Sequence, residues 1–144
     1  MSRLPRHLEH LKTGFTAEAV SAAMFRAFAE EAEQAGKPNL AGFWETLADR
    51  KDRLAIAQLR AGGRIKGEEQ NLKGTIAEEQ YENEVLYPRL IADLENLGQE
   101  EESNLMKRVV EEQERHAEAL DRLRREMTGT TEDVSPQEVP AADL

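Results

Sequence analysis

The chain contains no cysteine among its 144 residues. This absence excludes disulfide bonds, zinc–thiolate sites, iron–sulfur clusters and thiol nucleophiles, so any bound metal must use oxygen and nitrogen ligands. Aromatic residues are also scarce, at 5%, whereas charged residues reach 33%. Such a composition is typical of helical bundles rather than of sheets. The composition therefore predicts an all-α fold.

Positive charge is in short supply, with 19 Lys and Arg residues against 29 Asp and Glu, a net charge of −10. A surface of this sign repels phosphate backbones and anionic lipid headgroups, so neither nucleic acid nor a membrane is expected as a partner. No apolar run approaches the roughly 18 residues of a membrane span, and the charged N-terminal stretch lacks the apolar core of a signal peptide. A cytoplasmic location is expected.

Apolar residues recur at three- and four-residue steps along four stretches, which predicts four helices. The predicted helices are residues 6–35, 39–59, 71–97 and 100–127. Residues 60–70 form a connector that can run the length of a helix. We expect one domain over residues 1–127. Residues 128–144, which contain two prolines and few apolar side chains, are predicted to be a flexible acidic tail.

The second half of the chain repeats the first. Leu11-Lys12 and Glu18 recur at one constant spacing as Leu72-Lys73 and Glu79. At a spacing one position longer, Phe25, Gly36, Phe43, Leu47 and Ala55 recur as Tyr87, Gly98, Leu105, Val109 and Ala117. The change in spacing indicates one inserted residue between Glu79 and Tyr87. A single π-turn absorbs such an insertion most easily. At Pro88 we expect a kink or bulge and not a helix end, because the apolar stripe continues beyond it.

Two related hairpins joined by a crossover connector predict a four-helix bundle. The second helix is expected to carry Leu40, Trp44, Leu47, Leu54 and Gln58 on one face. The repeat also aligns seven positions on inward stripes near the middle of the helices, where facing side chains converge. These positions hold Glu18, Lys51, Leu54, Glu79, Glu82, Gln113 and His116.

One segment carries a family resemblance. Residues 71–88, with the sequence NLKGTIAEEQYENEVLYP, resemble the third helix of rubrerythrins, a di-iron branch of the ferritin-like proteins. FRAFA at residues 25–29 and FWETLA at residues 43–48 are similar to the first two helices of that family. The resemblance implies a ferritin-like four-helix bundle. It also implies ligands from one Glu, a Glu-x-x-His pair, a Glu-x-x-Glu pair and a second Glu-x-x-His pair on successive helices.

The chain matches that ligand pattern only in part. The metal ligands that the resemblance implies are Glu18, Glu79, Glu82 and His116, and the departures from the pattern are Lys51, Leu54 and Gln113. Positions 51 and 113 would supply the carboxylates that bridge two metals, which an ammonium or an amide cannot do. A conventional di-iron centre is therefore not expected. Lys51 can instead act as the counter-ion of Glu18 and Glu82, because attraction at about 4 Å is worth a few kcal/mol at an effective dielectric constant near 20.

Two interpretations of the remaining site stay open. Glu79 and His116, with Gln113 as a weak third donor, could hold one divalent ion, iron or manganese, with water completing its shell. Glu112 lies four residues before His116 on the same helix face and could substitute for Gln113. Alternatively, Lys51 and a hydrogen-bonded polar network stabilise the glutamates, and the site binds no metal. Haem and flavin are not expected in either case.

Three functions follow, and the sequence assigns no catalytic residue. The first is a rubrerythrin-like oxidoreductase that reduces peroxide or oxidises iron at a site with fewer metal ligands than the family pattern. It would require a separate electron donor, because the chain has no cysteine-rich rubredoxin module. The second is a metal-free bundle that acts as a non-enzymatic binding or assembly module. The third is a subunit whose site is completed in a homodimer, the oligomeric state that the resemblance suggests.

Overall fold

The computed structural model describes residues 4–141, and within that range all regular structure is helical. The helices are α1 (Arg6–Gln34), α2 (Pro38–Ala61), α3 (Glu68–Tyr81), a π-helical segment (Glu82–Leu86), α4 (Tyr87–Asn96) and α5 (Glu100–Met127). Because α3, the π-segment and α4 are continuous, they form one long third helix. The predicted all-α fold with four helices is confirmed. None of the helices within residues 4–141 combines the length and apolar character needed to cross a membrane.

The chain divides between Lys66 and Gly67 into two compact units. The first unit contains α1 and α2, and the second contains the third helix, α5 and the segment that follows it. Gly36 and Gly98 both have a left-handed backbone, with φ of 71° and 73°. Each ends a helix in the usual C-terminal motif, in which the next N–H bonds the carbonyl five residues earlier, at 2.9 Å in both cases.

Small residues form the seam between α1 and α2, which run antiparallel. Ala22 and Ala29 on α1 and Ala41, Ala48 and Ala55 on α2 recur at seven-residue spacing, and all are at most 5% exposed. A seven-residue repeat keeps one stripe of each helix facing its partner. The absence of bulk along this stripe lets the two backbones approach closely.

The two sides of this seam differ in character. On one side of the seam the side chains are charged, and Arg26 pairs there with Asp49 and Asp52 at 3.3 and 2.5 Å. On the other side, five apolar side chains are exposed by 38–57%. We call this second side the first apolar flank; its members are Met24, Phe28, Leu40, Phe43 and Leu54. Leu40 and Leu54 lie beside the seam, because Ala41 and Ala55 occupy it.

The second unit has the same pattern of sides. Ser103, at 1% exposure, lies in the seam where the repeat aligns it with Ala41. On one side of the seam, Lys107 Nζ lies 2.9 Å from Glu95 Oε1. The other side of α5 carries Leu105, Val109, His116 and Leu123. We call this side the second apolar flank.

The inserted residue forms the predicted π-turn. The backbone N–H of Tyr87 donates to the carbonyl of Glu82, five residues earlier, and the π-segment spans Glu82–Leu86. The wider turn brings consecutive residues to the same side, since Glu82 and Asn83 are both half-buried. The helix continues through Pro88, which lies in the first turn of α4. The predicted bulge is confirmed.

Residues 128–141 contain no helix or strand. Contacts with α5 side chains nevertheless hold this segment, as detailed below. The flexibility of the tail stays a prediction. Residues 1–3 and 142–144, the ends of the predicted domain and tail, lie outside the described residues.

Candidate functional site

The first unit brings Glu18 and Lys51 together across its seam. Lys51 Nζ lies 2.9 Å from Glu18 Oε2, and the two side chains are 29% and 23% exposed. Glu18 Oε2 has no partner at hydrogen-bond angles, so the contact is a close ion pair rather than a directed hydrogen bond. The expected counter-ion of Glu18 is present. Pairing of Lys51 with Glu82 stays a prediction.

Leu54 occupies the position where the rubrerythrin pattern has histidine. It belongs to the first apolar flank and is 52% exposed. An isobutyl side chain offers no electron pair to a metal ion. The first unit therefore contributes one carboxylate to the predicted ligand set, and an ammonium already neutralises it.

In the second unit, His116 lies between two carboxylates. Its Nε2 is 3.2 Å from Glu112 Oε1, one helical turn earlier on α5. Its Nδ1 is 3.9 Å from Glu79 Oε1 on α3. Both glutamate side chains are 18% exposed. Glu112 is thus adjacent to His116, as its proposed role as a substitute ligand requires.

Gln113 acts as a hydrogen-bond donor. Its Nε2 donates to Glu82 Oε2 at 3.3 Å, across the interface between α5 and the π-segment. A carboxylate in place of this amide would put two negative charges side by side unless a cation lay between them. The amide removes that requirement. The Gln113 amide thus stabilises the Glu82 carboxylate, as the Lys51 ammonium stabilises the Glu18 carboxylate.

Burial shapes the protonation of Glu79. Removal from solvent raises the pKa of Glu79, His116 opposes that rise, and the Glu82 carboxylate adds to it. Glu79 Oε2 is buried and has no hydrogen-bond partner. An unpaired buried carboxylate oxygen is unfavourable, so Glu79 is incompletely satisfied in this site.

Asn83 is a site residue that the sequence analysis missed. It follows Glu82 in the π-segment, and its buried Oδ1 has no hydrogen-bond partner. Its position inside the inserted turn was the available signal, because such turns are frequent at functional sites.

The predicted site residues thus form two groups. Glu18 meets Lys51 in the first unit, while Glu79, Glu82, Glu112, Gln113 and His116 lie along the α3–α5 interface of the second. Within residues 4–141, no group of three or more His, Asp or Glu side chains is arranged to hold a metal ion. A single pocket that joins the two groups stays a prediction.

Comparison of the chain with models of known protein families and with curated proteins gives no match. The resemblance to rubrerythrins therefore rests on the residues quoted above.

Proposed function

We propose that this chain is a rubrerythrin-like, ferritin-fold bundle whose interior is held by protein side chains in place of metal ions, and that it acts as a non-enzymatic binding or assembly module. The observation that carries this proposal is the 2.9 Å contact between Lys51 Nζ and Glu18. At position 51 the family pattern has a carboxylate that bridges two metals. Here an ammonium supplies the positive charge that a metal would otherwise bring to Glu18.

The contacts of the second unit support the same interpretation. Half-buried carboxylates are stable only when paired or hydrogen-bonded. Glu82 accepts a hydrogen bond from Gln113, and His116 lies beside Glu79 and Glu112. A metal ion would have to displace these contacts before it could coordinate the same oxygens.

The apolar flanks support the bundle. Each unit exposes large apolar side chains on the same side as its polar cluster, and full burial of each such side chain is worth about 1.5–3 kcal/mol. In the proposed bundle the two apolar flanks pack against each other. Glu18 and Lys51 would then share one interior with Glu79, Glu82 and His116.

Metal analysis of protein produced in iron- or manganese-supplemented medium tests the proposal. We expect a metal content close to zero, and thermal unfolding that does not change on addition of a chelator, since a bound ion would stabilise the folded chain. A stoichiometry of about two metals per chain would overturn the proposal, because it would require the bridging ligands that this chain lacks.

A triple variant tests the bundle geometry. Lys51→Glu, Leu54→His and Gln113→Glu restore the family ligand pattern, and we expect the folded variant to bind about two metals per chain. The matched control makes the same changes at exposed positions, Lys12→Glu, Ile56→His and Gln80→Glu, and should bind none. Failure of a folded triple variant to bind iron would contradict the proposed convergence of the seven positions.

A second candidate is a single-metal site with a rubrerythrin-like redox role and a separate electron donor. The buried, unpartnered Glu79 Oε2 favours it, because this oxygen, Glu112 and His116 could form three ligands after small side-chain rotations. Titration with Mn²⁺ separates the candidates. One ion per chain that is lost in His116→Gln but kept in the exposed control His10→Gln would establish the second candidate and reject the metal-free one.

A further inference from the structure

The segment after α5 covers part of the second apolar flank. We call residues 130–141 the C-terminal strap. Its Gln137 and Val139 line one groove together with Thr75, His116 and Leu123. The strap therefore lies on the side of the second unit that carries the candidate site.

A single carboxylate anchors the strap to α5. Glu126 accepts hydrogen bonds from the Ser135 backbone N–H at 2.7 Å, from the Ser135 hydroxyl at 2.5 Å and from Gln137 Nε2 at 2.6 Å. Arg122 Nη2 also donates to the backbone carbonyl of Glu138, at 3.2 Å. Three convergent donors on one carboxylate are a specific arrangement, because charge-assisted hydrogen bonds are short and directional.

Apolar contacts extend this anchor in both directions along the strap. Val134 is half-buried, and it lines a second groove with Leu72, Leu120 and Met127. Val139 lies farther along and lines the same groove as His116, with 56% of its surface exposed. A tethered segment binds with a high effective concentration, which favours docking of the strap through these modest contacts.

We infer that the strap and the first unit compete for the second apolar flank. This inference rests on the proposed bundle, in which that flank packs against the first unit. Val139 and Gln137 occupy the surface around His116 that the bundle must bury. Two segments cannot fill the same groove, so strap release would be a condition for packing of the apolar flanks. The strap would thus regulate assembly.

The lack of native cysteine permits a clean test of strap docking. In the full-length chain, Ala119→Cys with Val139→Cys places two thiols in the same groove. We expect a disulfide to form within the monomer under mild oxidation. The matched control, Glu118→Cys with Val139→Cys, moves one thiol to an exposed helix position and should not form it. Equal oxidation of both pairs, or of neither, would overturn the docking that the inference requires.

Trp44 then reports on competition, because it is the only tryptophan and contacts Phe28 and Phe43 of the first apolar flank. We expect a chain truncated after Gly129 to show blue-shifted emission and loss of acrylamide quenching relative to the oxidised, strap-locked chain. In the full-length chain, Glu126→Ala should shift Trp44 toward the truncated state, whereas the exposed control Glu111→Ala should not.

The outcomes separate the two proposals. Trp44 that is equally protected in the truncated and locked chains would overturn the competition and leave the bundle intact. Trp44 that is accessible in both would overturn the proposed bundle, and the inference with it. Protection that appears only when the strap is removed or its anchor is broken supports both.

Discussion

Replacement of Lys51 by methionine removes the ammonium while keeping a long side chain, and the structure allows its effect to be estimated. At the observed 2.9 Å separation, the attraction to Glu18 is about 1.4 kcal/mol at the dielectric constant of water and about 6 kcal/mol at an effective value of 20. Both side chains are more than two-thirds buried, so desolvation offsets much of the larger figure. Exposed pairs give about 0.2–1 kcal/mol. We therefore expect a net coupling of about 1–2 kcal/mol.

A double-mutant cycle measures this coupling. The variants are Glu18→Gln, Lys51→Met and their combination, unfolded by urea and followed by the fluorescence of Trp44. This tryptophan packs against Phe25 across the α1–α2 interface, with ring centroids 5.3 Å apart, and so reports on the first unit. Lys51→Met alone should lower the free energy of unfolding by about 1–2 kcal/mol, because it leaves a half-buried carboxylate unpaired. The double variant should recover most of that loss.

Lys12→Met is the matched control, since it removes the same charge from an exposed position of α1. Its effect should stay within about 0.5 kcal/mol. A coupling energy below about 0.3 kcal/mol between Glu18 and Lys51 would fall within the usual error of additivity and refute the counter-ion argument. A stabilising Lys51→Met substitution would refute it equally.

Three further predictions concern packing, protonation and the π-turn. Ala48→Leu should destabilise the first unit by about 1–3 kcal/mol in the Trp44 assay, because the seam leaves no room for a larger side chain, whereas exposed Ala27→Leu should be near neutral. Burial raises the pKa of Glu79, so the parent chain loses stability as pH rises through that pKa. The melting temperature of Glu79→Gln, measured relative to the parent, should therefore increase between acidic and neutral pH. The relative melting temperature of the exposed control Glu78→Gln should not change. Deletion of Glu84 should convert the π-turn to α-helix and change the free energy of unfolding by less than about 1 kcal/mol. Deletion of Glu111 is the control, because it rotates the following part of α5 by about 100°. This second deletion should cause a large loss of helical circular dichroism.

The helices were predictable because local rules determine them. Glycine stops at positions 36 and 98 and the three- and four-residue apolar steps placed the helix ends within three residues of those observed. The π-turn was predictable from a different signal, the lengthening of the internal repeat by one position between Glu79 and Tyr87. Periodicity did not show which stripe forms the seam of the first unit, because Leu40 and Leu54 fit the apolar pattern as well as Ala41 and Ala55. Close backbone approach favours the smaller residues there.

The contacts among the candidate site residues were only partly predictable. The spacing placed Glu112 beside His116, and the aligned positions of the repeat together with charge predicted the pairing of Lys51 with Glu18. The hydrogen bond from Gln113 to Glu82 depends on the widened turn, and the anchoring of the strap by Glu126 depends on contacts between residues up to 11 positions apart. Neither has a short-range signature in composition or periodicity.

The two positions that bridge metals in the rubrerythrin pattern are occupied here by side chains that stabilise glutamates within a single unit. Lys51 and Gln113 are equivalent in the internal repeat, and each contacts a glutamate of its own unit. A bridging metal works differently, since in the proposed bundle its ligands would come from both units and its loss would leave buried carboxylates facing each other. Here each unit satisfies one of its own glutamates before any flank packs. In the proposed bundle, we therefore expect the units to pack and separate without binding or releasing an ion, which is what an assembly module controlled by a strap requires.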